Sequence, residues 1–257
     1  GPSGKPSSPM SGSFNRMKAM VLAAGLGTRI RSMESGIPKP LIPVGGRLLI
    51  EYPLLLLRKH GITDVVINLH YMAEKIEGAL GDGSRLGLTI RYSREAEILG
   101  TGGGIKKAED FLGDAPFLVI NSDVVAEVDL EDLIRFHKKS NPAATLVLRE
   151  DPDPEAWGAV GTDSSGRIIK ILGKPETPEK PDQNKMFTGV HILDPRVLKF
   201  IPAGRPHHII DSYIEMIRTG ERLMGYSYKG YWMDVGTPER FEKVQADLKG
   251  RGGIQGN

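Results

Sequence analysis

The chain has 257 residues, 39% of them hydrophobic and 26% charged, which is the ordinary balance of a globular protein and enough length for one sheet with helices packed on it. Its formal charge of +2, with no lysine–arginine block and no basic–aromatic interleaving, excludes a general nucleic-acid binder. The absence of cysteine excludes disulfides, thiolate nucleophiles and zinc–thiolate sites and fits a cytoplasmic protein, and no apolar run reaches the about 18 residues that a membrane helix needs.

Residues 1–16 are rich in glycine, proline and serine and lack the apolar centre of a signal peptide, so they read as an expression remnant and disordered lead-in. Residues 17–249 read as a single domain and 250–257 as a flexible tail. Short apolar runs closed by turn residues alternate with segments of helical period, the rhythm of an α/β fold. In chain order, strands are expected at Lys18–Ala23, Asp64–Leu69, Leu88–Ser93 and Phe117–Asn121, and helices at Leu49–His60, Met72–Leu80, Gly103–Phe111 and Leu130–Lys139. This half predicts a mostly parallel sheet covered on both faces. In the second half AATLVLRE, WGAVGTD, RIIKILG and MFTGVHIL are strand-like pieces without long helices between them, which adds a mixed or antiparallel section. Two late helices are expected at His208–Arg218 and Pro238–Lys249, with RLMGYSY and GYWMDVG between them.

The stretch LAAGLGTRIRSMESGIPKPLIPVGG, from Leu22 to Gly46, follows the first expected strand, where ligands of open α/β sheets sit. Gly25 and Gly27 let backbone N–H groups turn toward an anion, and Thr28 and Arg29 add side-chain donors. The dinucleotide fingerprint fails, because Ile30 stands where its third glycine belongs, and this also removes an NAD-dependent oxidoreductase. A Walker loop fails because no G-K-[ST] follows.

The run LAAGLGTR followed by PKPLIPVGG resembles the N-terminal motif of the sugar-1-phosphate nucleotidylyltransferases, or nucleotide-sugar pyrophosphorylases. The resemblance continues in that family's order through LGTGGGIKKA from Leu99, VINSDVV from Val119, WGAV from Trp157, GKPE from Gly173, FTGVHIL from Phe187 and GYWMDVGTPERF from Gly230. GDGSRLGLTIRYS and TGGGI are similar to bacterial N-acetylmuramate-1-phosphate uridylyltransferases. LGTGG and the last block are also similar to mannose- and heptose-1-phosphate guanylyltransferases. The fold this implies is a GT-A-like nucleotidyltransferase domain: a Rossmann-like mixed, mainly parallel sheet flanked by helices, with an inserted sugar-binding β section.

The reaction it implies is attack by a sugar 1-phosphate oxygen on the α-phosphorus of a nucleoside triphosphate, releasing pyrophosphate and leaving an NDP-sugar. Candidate substrates are UTP or GTP with N-acetylmuramate, mannose, heptose or glucose 1-phosphate. Like unit charges at about 4 Å repel by roughly 1 kcal/mol in water and several-fold more in a drier site, so cations and aimed donors are the main requirement. By resemblance Arg29, Lys39 and Asp123 carry catalysis, and Asp123 and Asp234 hold Mg2+. The nucleotide lies on Leu22, Ala23, Ala24, Gly25, Gly27, Thr28 and Arg29, and against Gly100, Thr101 and Gly102. Gly158, Lys174, Thr188 and Gly189 face the sugar phosphate, although the glycine of WGAV also reads as strand packing. No general base is needed for an acceptor that is already an anion, so His207 and His208 read as surface or helix-capping residues.

Some positions depart from the family pattern. Ser32 and Glu34 stand where many members carry proline and threonine, Gly173 replaces a glutamate expected to hold sugar hydroxyls, and Ser122 replaces a glycine before the metal aspartate. Larger relatives append a hexapeptide-repeat β-helix, whereas only a helix and a glycine-rich tail are expected after Phe241, so a single activity is expected. A catalytically silent NDP-sugar-binding regulator and a cytidylyltransferase on another phosphorylated acceptor are the alternatives. The expected assembly is a monomer or small homo-oligomer.

Overall fold

The computed structural model describes residues 17–27 and 36–251. Thr28, Arg29, Ser32 and Glu34 of the glycine loop, the lead-in 1–16 and the tail end 252–257 lie outside the described residues. The chain runs through β1 (Ala19–Leu22), a hairpin of β2 (Pro43–Val44) and β3 (Arg47–Leu48), α1 (Glu51–Lys59), β4 (Asp64–Leu69), α2 (Ala73–Leu80) and β5 (Thr89–Arg94). It continues through α3 (Gly100–Lys107), α4 (Glu109–Leu112), β6 (Phe117–Asn121), β7 (Val124–Ala126), α5 (Leu130–Ser140) and β8 (Ala144–Arg149). The rest comprises β9 (Ala159–Thr162), β10 (Ile168–Ile171), β11 (Gln183–Leu193), α6 (Ile209–Arg218), β12 (Leu223–Tyr228), β13 (Trp232–Asp234) and α7 (Pro238–Gly250).

β1 lies between β4 and β6, parallel to both, and β5 extends the parallel set beyond β4. These interior strands are near-continuous apolar runs because helices cover both their faces. Alternation along β1 divides the core: Ala19 and Val21 join one apolar layer, with Leu54 of α1, Ile76 of α2 and Leu133 of α5, while Met20 joins the other, with Ile105 of α3 and Tyr213 of α6. On the other side of β6 the sheet turns antiparallel. β11 pairs with β6 through Val190–Leu193 and with β9 through Gln183–Met186, and β8 and β12 lie beyond β11. Opposite β8 the register of β11 shifts between Phe187 and His191, where Gly189 takes a φ of +80°. The fold is thus the expected mixed α/β sheet with a parallel core.

α5 shows how sequence sets these elements. Leu130, Leu133, Ile134 and His137 recur at helical spacing and are buried, and full burial of each aliphatic one contributes about 2 kcal/mol. The Asp129 carboxylate accepts from Asp132 N at 3.1 Å to start the helix, and Asn141, left-handed at φ +48°, ends it ahead of Pro142.

Two expectations shift. The helix expected from Gly103 starts at Gly100 and breaks at Ala108 into α3 and α4. Its glycines allow close approach to the chain before α6: a Cβ on Gly103 would lie 2.9 Å from Arg205 O. The two-stranded ladders β2–β3 and β7–β13 were not expected, since strands of two or three residues carry no readable period. A third apolar cluster, with Ile42, Val44, Val125, Val235, Val244 and Leu248, joins both ladders to α7 and thereby fixes the place of β13. No described helix is long and apolar enough to cross a membrane.

Candidate active site

The carboxyl ends of β1, β4 and β6 meet at one cavity of about 280 Å³. Leu22, Ala23, Ala24, Gly25 and Gly27 line it from the loop after β1, and Gly100 and Thr101 from the start of α3. Lys39 and Pro40 line it from a short 3-10 turn, Lys39–Leu41, and Asn121, Ser122 and Asp123 from the end of β6. The β6 end is tied to the first loop by Ser122 N donating to Leu22 O at 3.0 Å.

Lys39 is held from two sides. Pro38, extended at φ −67° and ψ 147°, sets the turn, and its carbonyl accepts from Leu41 N at 2.9 Å. Gly27 lies against the lysine stem at φ +60°, where a Cβ would come within 2.9 Å of Lys39 Cβ. The Lys39 ammonium reaches Asp123 Oδ2 at 2.6 Å, with the two side chains 17% and 19% exposed.

Asp234 is brought alongside by the β7–β13 ladder, in which it pairs with Val124, and Val235 N donates to Asp123 O at 2.9 Å. Burial raises the Asp234 carboxyl above its ordinary pKa and the nearby Asp123 charge raises it further, while Arg240 and Lys39 oppose the shift. Arg240 Nη1 lies 2.5 Å from Asp234 Oδ1. The array is therefore two carboxylates and two cations. Two hard oxygen donors at adjacent backbone positions suit Mg2+, and their mutual repulsion is what a divalent cation relieves. Among the described residues no group of three or more acids or histidines could hold a metal. A cation here would complete its shell with substrate phosphates and water, as magnesium commonly does.

From the cavity wall, which Asn68 also lines, a buried polar chain that the sequence reading missed runs inward. Asn68, 2% exposed, accepts from Ala23 N at 2.8 Å through Oδ1 and donates from Nδ2 to Glu95 Oε2 at 2.9 Å. The other Glu95 oxygen accepts from Leu99 N at 3.0 Å, so the loop after β1 and the start of α3 share one brace. The readable signal was Asn68 itself, a lone amide in the apolar run VVINL.

The remaining candidates divide. Gly102 packs against the chain before α6, where a Cβ would meet His207 Cδ2 at 2.8 Å, and it does not line the cavity. Thr101 Oγ1 accepts from Ile209 N at 2.9 Å. Thr188 is buried and donates its hydroxyl to Val147 O at 2.8 Å, while its carbonyl accepts from Trp232 Nε1 at 2.9 Å. Gly189 lies so near Asn121 that a Cβ would be 2.5 Å from its Nδ2. Gly158, at φ +84°, adjoins Leu172. Lys174 is exposed and lines a separate recess of about 610 Å³ with Asp163, Arg167 and Glu176. It is carried there because the chain leaves β10 through left-handed Leu172 and Gly173 and folds back so that Lys174 bridges Ile171. His208 caps α6, its Nδ1 accepting from Ile210 N at 3.1 Å, which is the capping role expected for this pair.

A glycine loop and a lysine–aspartate pair thus meet at the parallel strand ends of an α/β sheet, with a second aspartate carried beside them by the antiparallel β7–β13 ladder. The comparisons supply the class. Residues 18–251 match the family model described as Nucleotidyl transferase, and the chain belongs to that family. It is 32% identical over 247 residues to a UTP–glucose-1-phosphate uridylyltransferase of Synechocystis sp., covering 90% of this chain and 63% of the relative. It is 35% identical over 236 residues to a mannose-1-phosphate guanylyltransferase of Mycobacterium tuberculosis, covering 91% and 65%. The chain therefore spans less than two thirds of either curated relative. A Bacillus anthracis structure assigned as a glucose-1-phosphate thymidylyltransferase, with sucrose bound, superposes with a TM-score of 0.79 at 25% identity, covering 91% of this chain and 95% of that one.

Proposed function

We propose that the protein transfers a nucleoside monophosphate from an NTP to a sugar 1-phosphate, yielding an NDP-sugar and pyrophosphate, and that Asp123 and Asp234 are the residues that would hold Mg2+. UTP or GTP is the donor, and glucose, mannose, heptose or N-acetylmuramate 1-phosphate the acceptor. The observation that carries this reading is the Lys39–Asp123 pair beside Asp234 at the edge of the glycine-lined cavity. A bound divalent ion would supply charge neutralisation between the reacting phosphates.

The chain's own residues do the rest. Base and ribose lie over Leu22–Gly25 and against Gly100 and Thr101, held by backbone N–H and C=O groups. Lys39 places a point charge at the α-phosphoryl group, and Arg29 offers its planar fork to the departing pyrophosphate. Asp123 and Asp234 would hold the ion, and the acceptor comes from the side of β9 and β11, where Gly158, Thr188 and Gly189 lie, with Lys174 on the neighbouring turn. The attacking phosphate is already anionic, so catalysis is positioning plus electrostatics.

The test is a matrix of four NTPs against several sugar 1-phosphates, read by pyrophosphate release. Turnover that needs both substrates supports the reading. Binding of NDP-sugar with no pyrophosphate from any pair would refute it in favour of a regulatory protein. Lys39→Ala and Arg29→Ala are each expected to slow turnover by about 10²-fold or more.

A further inference from the structure

Arg240 has no part in the reaction as written above, yet its surroundings are unusual. It lies in the first turn of α7, whose N-cap Thr237 accepts from Arg240 N at 3.3 Å. A cation is disfavoured there, since the helix N-terminus carries partial positive charge. The guanidinium is nevertheless half-buried, bonded to Asp234 at 2.5 Å and lying over the Trp157 ring at 4.4 Å from its centroid. Trp157 in turn packs edge-on against Trp232, at 5.1 Å between centroids, two residues before Asp234. Trp157 also immediately precedes Gly158 at the entrance to β9, the side given to the acceptor.

We propose that Arg240 is an exchangeable counter-cation: it occupies Asp234 in the free protein, yields that carboxylate to the divalent ion, and then binds the anionic phosphate of the acceptor. The inference rests on the function proposed above. With an ion on Asp234, the guanidinium would face positive charge from both the ion and the helix N-terminus. The incoming phosphate relieves that repulsion, and the Trp157 face keeps the side chain beside Gly158 during the exchange. Metal loading is thereby coupled to completion of the acceptor subsite, and the sugar phosphate binds tightly only after the metal.

The test measures Mn2+ binding to the substrate-free protein by electron paramagnetic resonance, together with KM for each substrate. Asp234→Asn is expected to abolish Mn2+ binding; wild-type binding in that variant would refute the metal site itself, and the inference with it. With that site intact, Arg240→Gln is expected to bind Mn2+ roughly three- to tenfold more tightly, because the competitor is gone. The same variant should raise KM for the sugar 1-phosphate about tenfold while leaving the NTP KM near wild type, and Arg240→Lys should recover part of that loss. Unchanged or weaker Mn2+ binding in Arg240→Gln would overturn the exchange, and an unchanged sugar-phosphate KM would overturn the acceptor role. Either result would leave the proposed transferase reaction standing.

Discussion

Replacing Asn68 with alanine tests whether the buried brace at the cavity wall holds both halves of the proposed nucleotide site. The substitution strands the Ala23 N–H, which lies in a loop segment only 5% exposed, and removes the amide donor to a Glu95 carboxylate that is 3% exposed. A neutral hydrogen bond contributes about 1 kcal/mol, one to a charged group about 2 kcal/mol, and a stranded buried donor costs at least about 1 kcal/mol more. The expected loss is therefore roughly 3–4 kcal/mol, which moves the urea midpoint down by about 1–2 M. Urea unfolding followed by circular dichroism and tryptophan fluorescence measures it, and a cycle with Glu95→Gln should show a coupling of about 1–2 kcal/mol. Because Ala23 lines the cavity, the NTP KM should rise as well. A loss below about 1 kcal/mol, or additive single-variant effects, would refute the brace.

Three further outcomes follow from named geometry. Burial lowers the pKa of His137 to about 4 and that of His191 to about 3, so both fold neutral while the unfolded chain protonates them near pH 6.5; stability should fall as pH drops from about 6.5 toward 4, by roughly 3 kcal/mol for His137 alone, and His137→Gln should flatten that slope in pH-dependent urea titrations. Gly27→Ala places a Cβ 2.9 Å from Lys39 Cβ in a left-handed backbone, so it should cost about 1 kcal/mol or more of stability and slow pyrophosphate release at least about tenfold; wild-type kinetics would show that Lys39 needs no such seat. Trp232→Phe removes the donor to Thr188 O and should destabilise by about 1–2 kcal/mol in urea, and no change would mean that this carbonyl finds water instead.

Much of the fold was legible because local pattern and tertiary demand agree. Asp64–Leu69 and Phe117–Asn121 have the expected bounds to the residue, since buried parallel strands are marked by near-continuous apolar runs set between polar residues and turns. Lys39, Asp123 and Asp234 were reachable from the sequence only through motif blocks far apart in the chain. What brings Asp234 beside Asp123 is the three-residue ladder β7–β13, too short to show a period. The Asn68–Glu95 brace and the Arg240–Asp234 pair were not legible either, because a polar residue's partner across the fold is chosen by packing rather than by spacing. Lys174 is a further case: its motif implies a phosphate contact, while its place on a turn after two left-handed residues, lining its own recess, is set by backbone conformation that the spacing does not show.

The most direct measurement of the central claim is pyrophosphate release, with NTP and sugar 1-phosphate both saturating, as Mg2+ is titrated against wild type and Asp123→Ala. Release that requires the metal, stops with EDTA and is abolished in a folded Asp123→Ala protein is the expected result. Release that persists in EDTA, or at a near-normal rate without the Asp123 carboxylate, would contradict it.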